Sequence, residues 1–247
     1  GNTRRNMKVV IIDVAGPIGA RTTRLLRQAG HEVASTGNGP GPALAGAQVA
    51  VDLTDAASCE DEAALAAIEA SQRTLLAAEA AAGIGHHVAL SVAGTERPRQ
   101  GSVARGRMTQ ERLIRASGLP YTLIHSTQLF EFLGGIARSA AAGAILRLPP
   151  AAVQPIAPDD VAAFVARIAL GDPVNDTIEI AGPERLRLSE LVARYLRATE
   201  DPRPVVSDTH ARWPATAPDD RPPGPGSTLR LGMTRFEAWF HQAQARA

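Results

Sequence analysis

The stretch KVVIIDVAGPIGARTTRLLRQAGHEVAS, Lys8–Ser35, decides the fold. Lys8–Ile12 is a short β-branched run of the kind buried in parallel sheets. A glycine-containing turn follows, Asp13-Val14-Ala15-Gly16-Pro17-Ile18-Gly19. Ile18, Thr22, Leu25, Leu26 and Ala29 then repeat at helical spacing, and Gly30 is a natural helix stop. Glu32–Ser35 reads as a second strand. A strand–turn–helix–strand unit of this kind opens a nucleotide-binding α/β fold.

Working outward, further strands are predicted at Gln48–Val51, His87–Ser91, Tyr121–His125 and Thr177–Ala181. Helices are predicted at Glu62–Ala82, Val103–Ser117, Gln128–Ala142, Pro158–Ala169, Leu188–Ala198 and Thr234–Ala245. This alternation implies the α/β class, as a Rossmann-like doubly wound parallel sheet with a small C-terminal substrate-binding part. Residues 1–6 read as a leader or tag remnant, 7–126 as the Rossmann-like core and 127–247 as the substrate-binding part. A strand near 177–181 is expected to return to the sheet. Pro214–Gly226, rich in Pro, Gly and Asp, reads as a surface loop.

The chain has 247 residues, 45% of them hydrophobic, enough for one sizeable core. Its formal net charge is +1, and no basic run points to nucleic acid or an anionic membrane surface. The apolar stretches are short and Ala-rich, so no membrane span is expected. The single cysteine, Cys59, excludes an internal disulfide and a cysteine-rich zinc site. With no signal peptide visible, the expectation is a cytoplasmic protein. His86 and His87 are adjacent, so on a strand they face opposite sides and do not chelate one metal. Asp159 and Asp160 suit the start of a helix.

Five segments carry a resemblance: LLAAEAAAGIGHHVALSVAGTER from Leu75, QERLIRASGLPYTLI from Gln110, STQLFEF from Ser126, QPIAPDDVAAFV from Gln154 and IEIAGPERLRLSEL from Ile178. Together they resemble the NmrA-like, NAD(P)-binding branch of the atypical short-chain dehydrogenases. The likeness runs from about Lys8 to the end of the chain and is strongest from Ser71 to Leu191. It implies the fold, and a family that includes NAD(P)H-dependent reductases, redox-sensing regulators and members with other chemistry.

Four departures from the family pattern follow. The phosphate loop is Gly-x-x-Gly-x-x-Gly in the family; Gly16 and Gly19 match its second and third glycines, with Ile18 between them, and Asp13 replaces the first. At about 4 Å and an effective dielectric constant of about 20, two unit charges repel by about 4 kcal/mol. That is roughly three orders of magnitude in the affinity for a diphosphate. Asp13 also suits a plain helix cap. After the second strand, Ser35–Pro42 offers neither a base for a 2′-phosphate nor an acid for a ribose, while Thr36 and Asn38 are neutral turn formers. Only about a dozen residues separate Glu32–Ser35 from Gln48–Val51, too few for a further strand and crossover helix. Gln48–Asp52 is therefore expected to play the part of the family's fourth strand. Finally, the family's Tyr-x-x-x-Lys pair aligns with Val103 and Arg107, and neither residue moves a proton near neutral pH.

The candidate catalytic residues are Ser91 and His125, near the carboxyl ends of neighbouring strands, and Glu131. The resemblance implies a substrate pocket walled by Gln128, Phe130, Phe132 and Gln154; the residues themselves further suggest Arg107 facing the crevice and Trp213, Trp239 and Phe240 closing a lid. Simpler readings stand beside these: hydrogen bonding to backbone, core packing and a solvated helix face.

Three readings are open. The first, and the leading one, is a cofactor-independent cyclase, isomerase or lyase acting on a small organic, natural-product-like substrate, with no cofactor. The second is an NAD(P)H-dependent oxidoreductase with a modified site. The third is a non-catalytic sensor. The expected partner is a small-molecule substrate, with no nucleic acid, no membrane and no metal, and a homodimer is open.

Overall fold

The structure is a computed structural model that describes residues 6–12, 16–36, 42–54, 61–93, 102–139, 141–211 and 228–246. Asp13, Asn38, Cys59, Trp213 and the Pro214–Gly226 loop lie outside the described residues, as does the Val103 side chain. The elements in chain order are β1 (Lys8–Ile12), α1 (Pro17–Gln28), β2 (Glu32–Thr36), a 3-10 turn (Pro42–Leu44), β3 (Val49–Asp52), α2 (Glu62–Ala81), β4 (His86–Val92), α3 (Ser102–Ala116), β5 (Tyr121–Ser126) and α4 (Phe132–Ser139). Next come β6 (Leu146–Leu148), β7 (Ala152–Val153), α5 (Pro158–Ala169), β8 (Asp176–Ala181), β9 (Leu186–Arg187), α6 (Leu188–Ala198), β10 (Val205–Ser207), β11 (Thr228–Leu231) and α7 (Phe236–Ala245).

A seven-stranded sheet runs in the order β11-β8-β5-β4-β3-β1-β2. β1 pairs in parallel with both β2 and β3, and β3 with β4, with Ile12 beside both Thr36 and Asp52. This is the Rossmann-like doubly wound fold expected from Lys8–Ser35. Val49–Asp52 occupies the place next to β1, and β2 is the sheet edge. The short β2–β3 connection is closed by Leu44 and Ala47, which pack with Val10, Ile12, Ala50, Leu75 and Ile84. Its length leaves no room for another strand outside β2.

The chain divides into two compact units. The first comprises Gly1–Ser91, Pro98–His125 and Pro158–Glu179. In it α1 packs on α5 and α2 packs on α3. Strand alternation separates the two sides: His87 meets Glu79 of α2, whereas His86 meets Thr122. Leu76, Leu113, Ile114, Leu119 and Leu123 form the core under α2 and α3. α1 ends at Gln28, and Gly30, just past its C-cap Ala29, has a φ of +86° that suits glycine. Asp159 and Asp160 stand in the first turn of α5, and Asp159 pairs with Arg21 of α1. Because α5 packs on α1, residues 158–179 belong with the amino-terminal unit rather than with a part that begins at 127.

The second unit comprises Val92–Arg97, Ser126–Ala157 and Ile180–Ala247. Its core joins Phe130, Leu133, Leu188, Leu191, Leu196, Phe236 and Trp239. The helix expected over Gln128–Ala142 begins only at Phe132 and ends at Ser139. Before it, Leu129 pairs in parallel with Ile156, the Ile156 N–H bonds the Gln128 carbonyl, and the Phe130 N–H bonds the Ile156 carbonyl. Those ladder bonds hold the segment extended and outweigh its helical pattern. β6, β7, β9, β10 and β11 were not foreseen; each has two to four residues, too few to show a period. No helix among the described residues is long and apolar enough to cross a membrane.

Candidate active site

The carboxyl ends of β3, β4 and β5 carry Asp52, Ser91 and His125 in the first unit. Asp52 is paired in register with Ala89, so Asp52, Ala89 and Ser91 share one face of the sheet. α3 crosses that face with Arg107 and Glu111 four residues apart, hence on one side of the helix.

Two polar pairs result. Arg107 Nη1 donates to Ser91 Oγ at 2.7 Å. His125 Nε2 lies 2.6 Å from Glu111 Oε1. The side chain of His125 is 42% exposed and that of Glu111 24% exposed, so the dyad is open to a ligand while anchored in the fold. Ser91 and His125 were expected to approach each other; among the described residues no hydrogen bond joins them, and each is held by an α3 side chain instead. Arg107, expected to face the crevice, is half-buried against Ser91.

Between these elements lies a cavity of about 30 Å³ lined by Asp52, Thr54, Gln72, Ser91, Arg107 and Glu111, among others. Asp52 is 5% exposed, and its Oδ1 accepts from both the backbone and the hydroxyl of Thr54. Deeper on the same face, His87 Nδ1 meets Glu79 Oε2 at 2.6 Å with both side chains fully buried. Burial favours neutral His87, but the Glu79 hydrogen bond and the charges of Glu79 and Asp52 prevail and hold its pKa above the ordinary histidine value. On the opposite face burial pushes His86 down to about 4.

The carboxy-terminal candidates hold other positions. Phe130 is 1% exposed and stacks on Trp239 at 5.1 Å, which makes it a core residue rather than a pocket wall. Phe132 packs against the same cluster. Glu131 accepts from Trp239 Nε1 at 3.3 Å, so the tryptophan expected in a lid is anchored in the core. Phe240 packs partly buried beside Trp239. Gln154 Nε2 donates to the Gly182 carbonyl at 2.8 Å and ties β7 to the end of β8. Gln128 is 4% exposed.

At the start of α1, Gly16 is the N-cap, Pro17 fills the first helical position without an N–H, and Gly19 is buried. A Cβ on Gly16 would meet nothing within 4 Å, so its small size serves no close approach within the protein. At the end of β2, Thr36 is buried with Oγ1 unpartnered among the described residues. No group of three or more His, Cys, Asp or Glu side chains among the described residues is placed to hold a metal.

Glu111 and Gln72 were missed in the sequence. Glu111 was legible as the residue four beyond Arg107. Gln72 was legible as a polar residue seven before Glu79, on the face of α2 that also buries Leu75 and Leu76.

No protein-family profile and no curated protein sequence matches the chain. Solved structures do match in fold. A short-chain dehydrogenase/reductase superfamily protein from Agrobacterium tumefaciens with bound NAD aligns over 97% of this chain and 97% of its own, at 14% identity and a TM-score of 0.67. A dTDP-4-dehydrorhamnose reductase from Bacillus anthracis in complex with NADP aligns over 85% and 88%, at 12% identity and 0.63. A UDP-N-acetylglucosamine 4-epimerase from Bacillus cereus aligns over 83% and 90%, at 14% identity and 0.58. The chain therefore has the Rossmann-like fold of these reductases and epimerases.

Proposed function

We propose that this chain is an NmrA-like short-chain-dehydrogenase-fold enzyme that works without nicotinamide, as an isomerase, cyclase or lyase moving protons next to a carbonyl of a small organic substrate. One observation carries the reading: two ready-made polar pairs, Ser91–Arg107 and His125–Glu111, stand side by side on adjacent strands and on one side of α3. Because Ser91 accepts from Arg107, its own proton is left to donate to a carbonyl oxygen, with the guanidinium steadying charge that develops there. His125, oriented by Glu111, takes the proton from the neighbouring carbon and returns it at a new place. The electron pair of the broken C–H bond moves onto the carbonyl oxygen and back.

The residues present fit a nicotinamide dinucleotide poorly. Asp13 stands where the loop needs glycine, Pro17 removes an amide donor, and β2 ends in neutral Thr36 at the sheet edge. The Val103–Arg107 pair also lacks the tyrosine of the family's catalytic pair. The second reading is an NAD(P)H-dependent reductase with a modified site, favoured by the NAD and NADP complexes of the fold neighbours. The two separate on incubation with a panel of ketones, α-hydroxyketones and enones in deuterated water, with and without NADPH. The proposal expects enzyme-dependent deuterium incorporation beside the carbonyl without nucleotide, abolished in His125→Gln. Carbonyl reduction strictly dependent on NADPH, with no exchange in its absence, contradicts it.

A further inference from the structure

The cavity between β3, β4, α2 and α3 is lined by two carboxylates, Asp52 and Glu111, together with polar and apolar neighbours. Gln72 lines it, is 4% exposed, and its Nε2 has no hydrogen-bond partner among the described residues. An orphaned carboxamide N–H₂ is two donors without acceptors, and leaving such a group dry is costly. Arg107 brings one positive charge against the two carboxylates of Asp52 and Glu111, so the wall is net negative and an anion is disfavoured there. The space of about 30 Å³ exceeds the ~10–15 Å³ that one water requires, and the wall supplies more than the two polar partners a buried water needs.

The geometry points to a built site for ordered water, held by Gln72, Asp52 and Glu111, that serves as the proton relay of the His125 dyad. The relay role rests on the acid–base reading above; the water site does not. Each transfer balances. The substrate carbon gives its proton to His125 Nδ1, leaving the C–H electron pair on the carbonyl oxygen beside Ser91. His125 Nε2 gives its proton to Glu111 Oε1. Glu111 passes a proton to the cavity water, and that water passes one of its own to the Asp52 carboxylate. The net result is one proton moved from carbon to Asp52, and the reverse sequence restores it. Asp52, the end of the relay, is buried and held in place by the backbone N–H and hydroxyl of Thr54. Gln72 is then a positioning residue, acting on the water rather than on substrate.

Crystal structures of the whole chain and of Gln72→Leu test the site. In the unsubstituted chain, water density is expected about 2.7–3.2 Å from Gln72 Nε2 and from an Asp52 or Glu111 oxygen. In Gln72→Leu that density is lost while the Ser91–Arg107 hydrogen bond stays. A cavity without water, or a Gln72 amide bonded directly to either carboxylate, overturns the site. The deuterium-incorporation assay tests the relay: Gln72→Leu and Asp52→Asn are each expected to slow incorporation at least about tenfold and to change its pH profile. Unchanged incorporation in both variants overturns the relay while leaving the acid–base reading intact. No incorporation by the unsubstituted chain removes that reading and the relay together, and the water density then decides the site alone.

Discussion

Arg107 of α3 donates to Ser91 of β4 at 2.7 Å, joining residues sixteen positions apart at the carboxyl end of the sheet. A lysine in this place would bring a single point charge, whereas the guanidinium offers several donors in a plane and can serve Ser91 and a second acceptor at once. Removal of the Ser91 hydroxyl in Ser91→Ala is expected to slow deuterium incorporation by about 10²–10³, the usual loss for one donor to a developing oxyanion. Arg107→Lys is expected to lose less than Ser91→Ala. Steady-state exchange rates of both variants, measured beside their melting temperatures, check this.

The Glu79–His87 pair makes a separate expectation about stability. Both side chains are fully buried, and Glu79 Oε1 and His87 Nε2 have no further partner among the described residues. Removing one member leaves the other buried alone, so Glu79→Leu is expected to destabilise by about 3–5 kcal/mol. The double variant Glu79→Leu/His87→Phe is expected to recover most of that loss. Urea denaturation of the four chains in the cycle measures the coupling; a double variant as unstable as the single one contradicts it.

His86 governs the acid side. Its pKa falls to about 4 in the fold because it is buried, whereas an unfolded histidine titrates near ~6.5. The unfolded chain therefore binds the extra proton first. This group's contribution is fully present above about pH 6.5 and is lost as the pH falls toward 4, by roughly 3 kcal/mol in all. His87 has the opposite sign: its raised pKa adds stability that is present below about pH 6.5 and is lost as the pH rises through its folded value. Thermal melts from pH 7 to 4 should show a falling midpoint, and His86→Gln, which keeps a partner for Thr122, should flatten that limb.

Gly182 is required by the backbone around it. A Cβ there would run into the Pro155 carbonyl, where only backbone can give way. Gly182→Ala is expected to cost about 3 kcal/mol or more, above ordinary overpacking, and to break the Gln154 bond to its carbonyl. The midpoint of urea unfolding reads this directly.

Much of this architecture was legible in the sequence, for physical reasons tied to particular segments. Lys8–Ile12 is a buried parallel strand with few alternatives, and its boundaries agree with the structure. The short interval after Glu32–Ser35 announced that Gln48–Asp52 takes the part of the family's fourth strand, and β3 pairs with β1 accordingly. The site was legible only in part. Ser91 and His125 were visible at strand ends, but their partners sit on α3, and pairing depends on how that helix packs. Phe130, Phe132 and Gln154 were placed in a pocket by the family resemblance, which does not carry how this chain packs them. Aromatic burial takes Phe130 and Trp239 into one core, and the Gly182 carbonyl takes Gln154. Short strands such as β11 are fixed by their neighbours in the sheet, a tertiary effect that periodicity does not carry.

The most direct test of the central claim is titration of the purified protein with NADPH and NADH by calorimetry, followed independently by nucleotide fluorescence. A site with Asp13 in the phosphate loop, Pro17 at the helix start and no charge after β2 predicts no saturable binding up to millimolar nucleotide. Saturable binding at micromolar concentration or below would contradict it and establish a nicotinamide site in the crevice.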